Sequence, residues 1–195
     1  MRREKRSITK ALAAAGLVLL GAGCLAGSGR TRVTGEESLR HGAWYEQQKQ
    51  PWDAIVVYRK GLEEEPGNVE LRLRLADLLT ETGDHRGART QYRLVLERDP
   101  ENVAAINNLG WVAVLSGYDL DWAAEAVKAL ADKPSPHRHV YLDTLGMVYL
   151  KQKRYREARV TLGEAMDLCD RGEVMSTTEE CREIKEHLVE AGGRE

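Results

Sequence analysis

Phenylalanine is absent from this chain of 195 residues, aromatic residues amount to only 6%, and there are just 5 prolines and 3 cysteines. In place of aromatics the sequence is dominated by Ala, Leu, Glu and Arg, the residues that lose least side-chain entropy in a helix, which favours an all-helical protein. A basic excess is also lacking: Lys+Arg 29 stand against Asp+Glu 31, a formal charge of -2, which argues against a nucleic-acid binder. With 42% hydrophobic and 31% charged residues, the chain is neither disordered nor a multi-span membrane protein. The odd cysteine count would leave one thiol over in a secreted protein, so each cysteine has to be placed along the chain.

Long apolar runs are missing except at the start. Arg2, Arg3, Lys5, Arg6 and Lys10 surround a single acid, Glu4, and the next charge is Arg30; residues 11–23 between them are apolar or small throughout. A basic segment followed by an apolar one of this length reads as a secretory signal, too short for a transmembrane helix of about 20 residues. The run ends in Leu19-Leu20-Gly21-Ala22-Gly23-Cys24, which resembles the lipobox of bacterial lipoproteins, with Gly21 where Leu is commonest. The resemblance implies cleavage before Cys24 and a covalent lipid on it; an uncleaved anchor, or a signal cut elsewhere, are the alternatives. Leu25 and Ala26 follow, with no Asp in second place, which by the same resemblance points to the outer membrane, facing the periplasm. Acyl chains contribute about 0.8 kcal/mol per buried CH2, so such a lipid holds a domain at the bilayer without a spanning helix. Residues 26–31 are small and polar and read as a tether.

The body repeats. Pro66, Pro100 and Pro134 are separated by 34 and 34 residues, a period that marks a helical solenoid. Gly42-x2-Tyr45, Ala54-x3-Tyr58 and Pro66 recur in phase as Leu75-Ala76-x2-Leu79, Ala88-x3-Tyr92 and Pro100, then as Leu109-Gly110-x2-Ala113 and Pro134, and finally as Leu145-Gly146-x2-Tyr149 and Ala158-x3-Leu162. From about 35 to 171 the chain resembles a tetratricopeptide repeat protein. The resemblance implies a right-handed α-solenoid of about four helix-turn-helix units (35–68, 69–102, 103–138 and 139–173). These follow a signal peptide (1–23) and a lipidated, tethering segment (24–34), and precede a capping helix and tail (174–195).

The pattern has a mechanical reason. Small residues at Gly42, Ala76, Gly110 and Gly146, and at Ala54, Ala88 and Ala158, let paired helices approach, while Tyr45, Tyr58, Tyr92 and Tyr149 fill the space between neighbours with the hydroxyl toward a partner or water. Each proline follows a second helix that it cannot continue. Leu71, Leu75, Leu78 and Leu79 form one stripe, and Tyr92, Val95 and Leu96 another. The third unit carries two extra residues before Gly146. Either Trp122 intrudes where a small residue belongs, or the helix is slid by one so that Ala123, Val127 and Leu130 face the core, with Asp119 or Asp121 as its cap. Ser176 with Glu179 and Thr177 with Glu180 give two overlapping capping boxes for a last helix running to about Ala191. Its face of Cys181, Ile184 and Leu188 would close the final repeat, as solenoids require. Cys169 and Cys181 then either pair in an oxidising periplasm or remain two buried thiols.

Catalytic signatures are missing: no glycine-rich phosphate loop, no H-E-x-x-H and no G-x-S-x-G. His137-x-His139 sits beside Pro136 in what reads as a connection and lacks further ligands; His187 reads as solvated surface of the cap, and Glu63-Glu64-Glu65 as a solvated helix face. The expectation is a non-enzyme with no metal and no cofactor other than the lipid on Cys24. The resemblance implies partner or peptide binding in a concave groove lined by first helices. In register, the lining candidates are Arg74, Asp77 and Glu81, then Asn107, Asn108 and Trp111, then Asp143, Met147 and Lys151. Asn107 and Asn108 suit a peptide backbone, and Trp111 with Met147 an apolar anchor; Trp111 is alternatively a packing residue. The set by which some relatives clamp a terminal carboxylate is missing, with Leu73, Asp77, Val140 and Thr144 in its places.

The expected partners are envelope proteins or peptide segments, with a membrane contact through the lipid, and neither nucleic acid nor a small-molecule substrate. The layout is similar to lipoproteins that assist assembly of pili and secretion systems. An accessory subunit docking a peptidoglycan enzyme or protease, and a cytoplasm-facing adaptor on an uncleaved anchor, are the alternatives. Removing residues 1–23 takes away 5 basic and 1 acidic residues and leaves 24 against 30, so the charge of -2 conceals a body at -6. Such a body suits a partner with a basic patch better than anionic headgroups.

Overall fold

Helix ends are written locally in this chain. Asn68 and Asn102, one period apart, accept the backbone N–H of Leu71 at 3.1 Å and of Ala105 at 3.0 Å, which satisfies donors that a helix start leaves unpaired. Asp84 does the same for Gly87 at 2.9 Å, Thr34 and Glu37 close a full capping box, and Pro51 opens its helix at the position where a missing N–H costs nothing. The computed structural model describes residues 33–172 and 177–193. The segment expected to be a signal, Cys24 and all but the end of the expected tether lie outside the described residues.

Among the described residues there are nine helices and no strand: α1 (Gly35–Gln47), α2 (Pro51–Glu64), α3 (Val69–Glu81), α4 (His85–Leu96), α5 (Val103–Ser116), α6 (Leu120–Ala131), α7 (Arg138–Lys151), α8 (Tyr155–Arg171) and α9 (Thr178–Gly192). Each helix packs on the next. In addition α1 meets α3, α3 meets α5, α5 meets α7 and α7 meets α9, so the first helices of successive pairs lie side by side. The three spacing prolines each fall just after a second helix. No described helix is long and apolar enough to cross a membrane.

Within each pair the helices touch through the small residues. Ala54, Ala88, Ala123 and Ala158 are all completely buried. A Cβ at Gly42 would lie 2.0 Å from the Tyr58 ring, one at Gly110 2.6 Å from Val127, and one at Gly146 2.5 Å from Leu162. Glycine is needed there because the partner side chain occupies the space of its missing Cβ. Two buried clusters result, one from Ala54 to Val112 and one from Ala113 to Ala191, and half-buried Trp122 packs against both.

The third unit takes the slid register: Ala123, Val127 and Leu130 point inward. Its connection differs to match. The other pairs turn through a left-handed second loop residue, Lys49, Gly83 or Lys153, whereas here Gly117 and Asp119 are the left-handed residues. That backbone overturns the expected cap. Asp119 stands at the N-terminal position of α6, yet its carboxylate makes no capping bond; it pairs instead with Arg93 at 2.9 Å and Arg89 at 3.4 Å on α4. Asp121 lies in the first turn and accepts from Gln152 at 2.7 Å.

At the other end α9 is capped by Thr177 and Glu180; Ser176, the alternative, lies outside the described residues. Ile184 and Ala191 are buried against α7 and α8. Cys169 and Cys181 form a disulfide, Cα–Cα 5.9 Å, between α8 and the first turn of α9.

Candidate functional site

Arg74, Asp77, Leu78 and Glu81 follow the three- and four-residue steps that keep side chains on one face of a helix. On α5 the same face carries Asn107, Asn108 and Trp111, and on α7 Val140, Asp143 and Thr144. Together with Glu46 from α1, and Glu183, Glu186 and His187 from α9, they line a single open groove of about 680 Å³. Seven of the nine candidate residues are therefore brought together: Arg74, Asp77, Glu81, Asn107, Asn108, Trp111 and Asp143.

Met147 and Lys151 are not among them. Met147 is 7% exposed and belongs to the buried cluster that also holds Ile184 and Ala191 of α9, and Lys151 is exposed at the end of α7. Both misses lie on α7, the first helix of the last pair, against which α9 packs instead of a further repeat. Trp111 is half-buried and does both things considered for it, packing against the core and lining the groove.

A chain of hydrogen bonds sets the floor. The Tyr92 hydroxyl donates to Asp77 Oδ1 at 2.5 Å, Asn108 Nδ2 donates to the same oxygen at 3.0 Å, and Asn107 Nδ2 reaches Asn108 Oδ1 at 3.4 Å. Burial, with the Asp77 charge beside it, pushes the Tyr92 phenol well above its ordinary range, so it stays a donor. The Tyr58 hydroxyl donates to Glu46 in the same way and is raised by burial first and by Glu46 second. Of the four hydroxyls expected to face a partner or water, those of Tyr58 and Tyr92 are thus committed to carboxylates.

His187 is a correction to the sequence reading. It is a half-buried wall of the groove: its Nδ1 lies 2.8 Å from Asp143 Oδ1, and its ring sits 5.9 Å from that of Trp111, tilted by 40°. The hydrogen bond to Asp143 raises its pKa above the ordinary value. His139 is a second correction. It belongs to α7, not to the connection, and is 0% exposed, with burial lowering its pKa despite Glu180 at 3.8 Å.

The lining carries six carboxylates, Glu46, Asp77, Glu81, Asp143, Glu183 and Glu186, against the guanidinium of Arg74 and the imidazole of His187. Low-dielectric walls focus such a field into the groove, which favours cationic groups. Among the described residues no group of three His, Cys, Asp or Glu side chains is placed to hold a metal ion. What the arrangement can do is bind. The sequence reading missed the contribution of α9. Its signal was the i, i+3, i+4 spacing of Glu183, Glu186 and His187, which reads equally well as the solvated face of a cap.

Comparison with known proteins bears on the architecture. A family model described as tetratricopeptide repeat matches residues 45–112. No curated protein matches the chain. Among solved structures, PilW, described as a widely conserved type IV pilus biogenesis factor, superposes with a TM-score of 0.65 at 19% identity, over 81% of this chain and 70% of that one. PilF of Pseudomonas aeruginosa gives a TM-score of 0.59 at 20% identity, over 83% and 78%. YrrB, described as a tetratricopeptide repeat protein with an unusual peptide-binding site, gives 0.65 at 16% identity, over 80% and 76%. The fold of the described residues is accordingly that of a tetratricopeptide-repeat solenoid, closed by a disulfide-linked helix.

Proposed function

We propose that this protein is a non-enzymatic scaffold of the bacterial cell envelope. It is anchored by lipid on Cys24, faces the periplasm from the outer membrane, and holds a segment of a partner protein in the groove during assembly of an envelope complex. The observation that carries the proposal is the groove itself, with a half-buried Trp, an asparagine pair and fixed carboxylates converging from four elements. A rigid, partly apolar cleft with a few oriented polar groups is what recognition of an extended chain needs. The address rests on residues 2–24. Likeness in fold to PilW and PilF supports a role in assembling a pilus or related secretion machinery.

Photocrosslinking in cells, from a reactive side chain replacing Trp111 or Asn107, tests the groove. Capture of an envelope protein is expected, and failure to capture one overturns the reading. The anchor is tested separately: Cys24→Ala should release the protein from membranes, and globomycin should cause a larger precursor to accumulate. A protein that remains membrane-bound after Cys24→Ala removes the lipid from the proposal.

A further inference from the structure

The hydrogen-bond chain on the groove floor has a direction. Asn108 Nδ2 is spent on Asp77, so Asn108 presents its Oδ1 to Asn107, and Asn107 must answer with Nδ2. The amide orientation of Asn107 is fixed in this way, and its Oδ1 is left as an acceptor without a donor in a residue only 9% exposed. A buried acceptor left unpaired is costly, because the water it gave up is not replaced. Asn107 lines the groove, so a ligand N–H is the natural source of the missing donor.

The carboxylates separate into two kinds. Asp77 and Asp143 are engaged inside the protein, by Tyr92 and Asn108 and by His187. Glu81 and Glu183 make no ion pair among the described residues, and Glu186 shares only the exposed Arg182, at 2.6 Å. Glu81 and Glu183 are thus uncommitted, and all three glutamates line the groove together with Trp111, whose face is of the kind that attracts a cation. Unpaired acceptor, free carboxylates and ring all ask for hydrogen-bond donors and positive charge.

Resting on the groove reading above, we propose that the occupant is an extended segment bearing Lys or Arg side chains. Its cations lie among Glu81, Glu183 and Glu186 beside Trp111, and one of its N–H groups donates to Asn107 Oδ1. An acidic segment would meet the like charge of the whole lining, which discriminates against it.

The test is selection of binders from a random octapeptide display library by the disulfide-intact full chain held in detergent micelles. Selected peptides are expected to be enriched about threefold or more in Lys and Arg, to be depleted in Asp and Glu, and to bind more weakly as salt rises. Glu81→Gln, Glu183→Gln and Glu186→Gln together should weaken them about tenfold, the scale of one pK unit of charge interaction. Glu63→Gln with Glu125→Gln, a change of charge away from the groove, should leave them unchanged. Asn107→Ala should weaken basic and neutral peptides alike. Peptides without charge bias, or a basic bias that survives the triple substitution, overturn this inference and leave the groove reading standing; a library yielding no binder at all overturns both.

Discussion

The first two repeats and the last two solve one packing problem with different chemistry. In the first pair the second helix offers Tyr58 and Tyr92 to the small residue opposite, and each hydroxyl goes on to hold a groove carboxylate, Glu46 or Asp77. In the second pair the same place is taken by Val127 and Leu162, fully buried, which fill the space and stop there. In that half α5 and α7 supply Asn107, Asn108 and Asp143, and α9, from outside the repeats, brings His187 to Asp143 and adds Glu183 and Glu186. The difference shows that one repeat scaffold carries an oriented groove in two ways, from beneath by a phenol or from across by a capping helix.

The largest break expected is Leu162→Ala. It removes a completely buried side chain from the half whose packing is purely apolar and should cost about 4 kcal/mol through lost burial and the cavity left behind, read as a drop in the denaturation midpoint at unchanged slope. Next is Cys169→Ser with Cys181→Ser. The bridge spans a sequence separation of 12, and its loss should cost roughly 3 kcal/mol in the chain-entropy model. Hydrogen exchange should show the opening confined to α9 and the turns of α7 and α8 beneath it, with α1–α4 unaffected.

Tyr92→Phe tests the other half. It removes a hydrogen bond to a charged acceptor without emptying the core and should cost about 1.5–2 kcal/mol. Asp77 is freed as well, so the Asn108 amide should lose its order in NMR relaxation, while the His187–Asp143 pair stays intact.

The smallest effect is a pH dependence that separates two histidines of the last half. The pKa of His187 is raised in the fold by Asp143, so its contribution is full below the unfolded value of about 6.5 and is lost as pH rises through the raised one. His139 is lowered by burial and acts with the opposite sign, costing stability as pH falls below about 6.5. His187→Gln should therefore make the protein lose more stability than wild type between pH 8 and pH 6, as measured by urea titration at each pH. An equal slope in both proteins would show that the Asp143 contact does not shift His187.

Much of this was legible in the chain because it is written at short range. Prolines spaced by 34 follow the second helices of the first three pairs, which they cannot continue whatever surrounds them, and the Gly and Ala positions are forced by the distance at which two helices meet. Seven groove residues followed from the repeat register combined with the resemblance to tetratricopeptide repeat proteins, which puts the groove on the first helices. The register of the third unit was open between two readings, because a residue count does not say where an extra residue is taken up; α5 takes it up, ending six residues after Gly110 where α3 ends five after Ala76, and its three-residue connection turns through left-handed Gly117 and Asp119. That conformation turned Asp119 from the expected cap into a partner for Arg89 and Arg93.

By itself, then, the sequence determined the helices, their pairing, the period that stacks them and the faces of α3 and α5 that look into the groove, since these are set by the pattern that recurs from repeat to repeat. Only the tertiary structure decided how the array ends. Where α9 lies depends on the fit of Ile184 and Ala191 against α7 and α8 and on the bridge from Cys169 to Cys181, contacts between segments that no period relates. That one placement turns His187 from surface into wall and adds the Glu183 and Glu186 carboxylates to the groove.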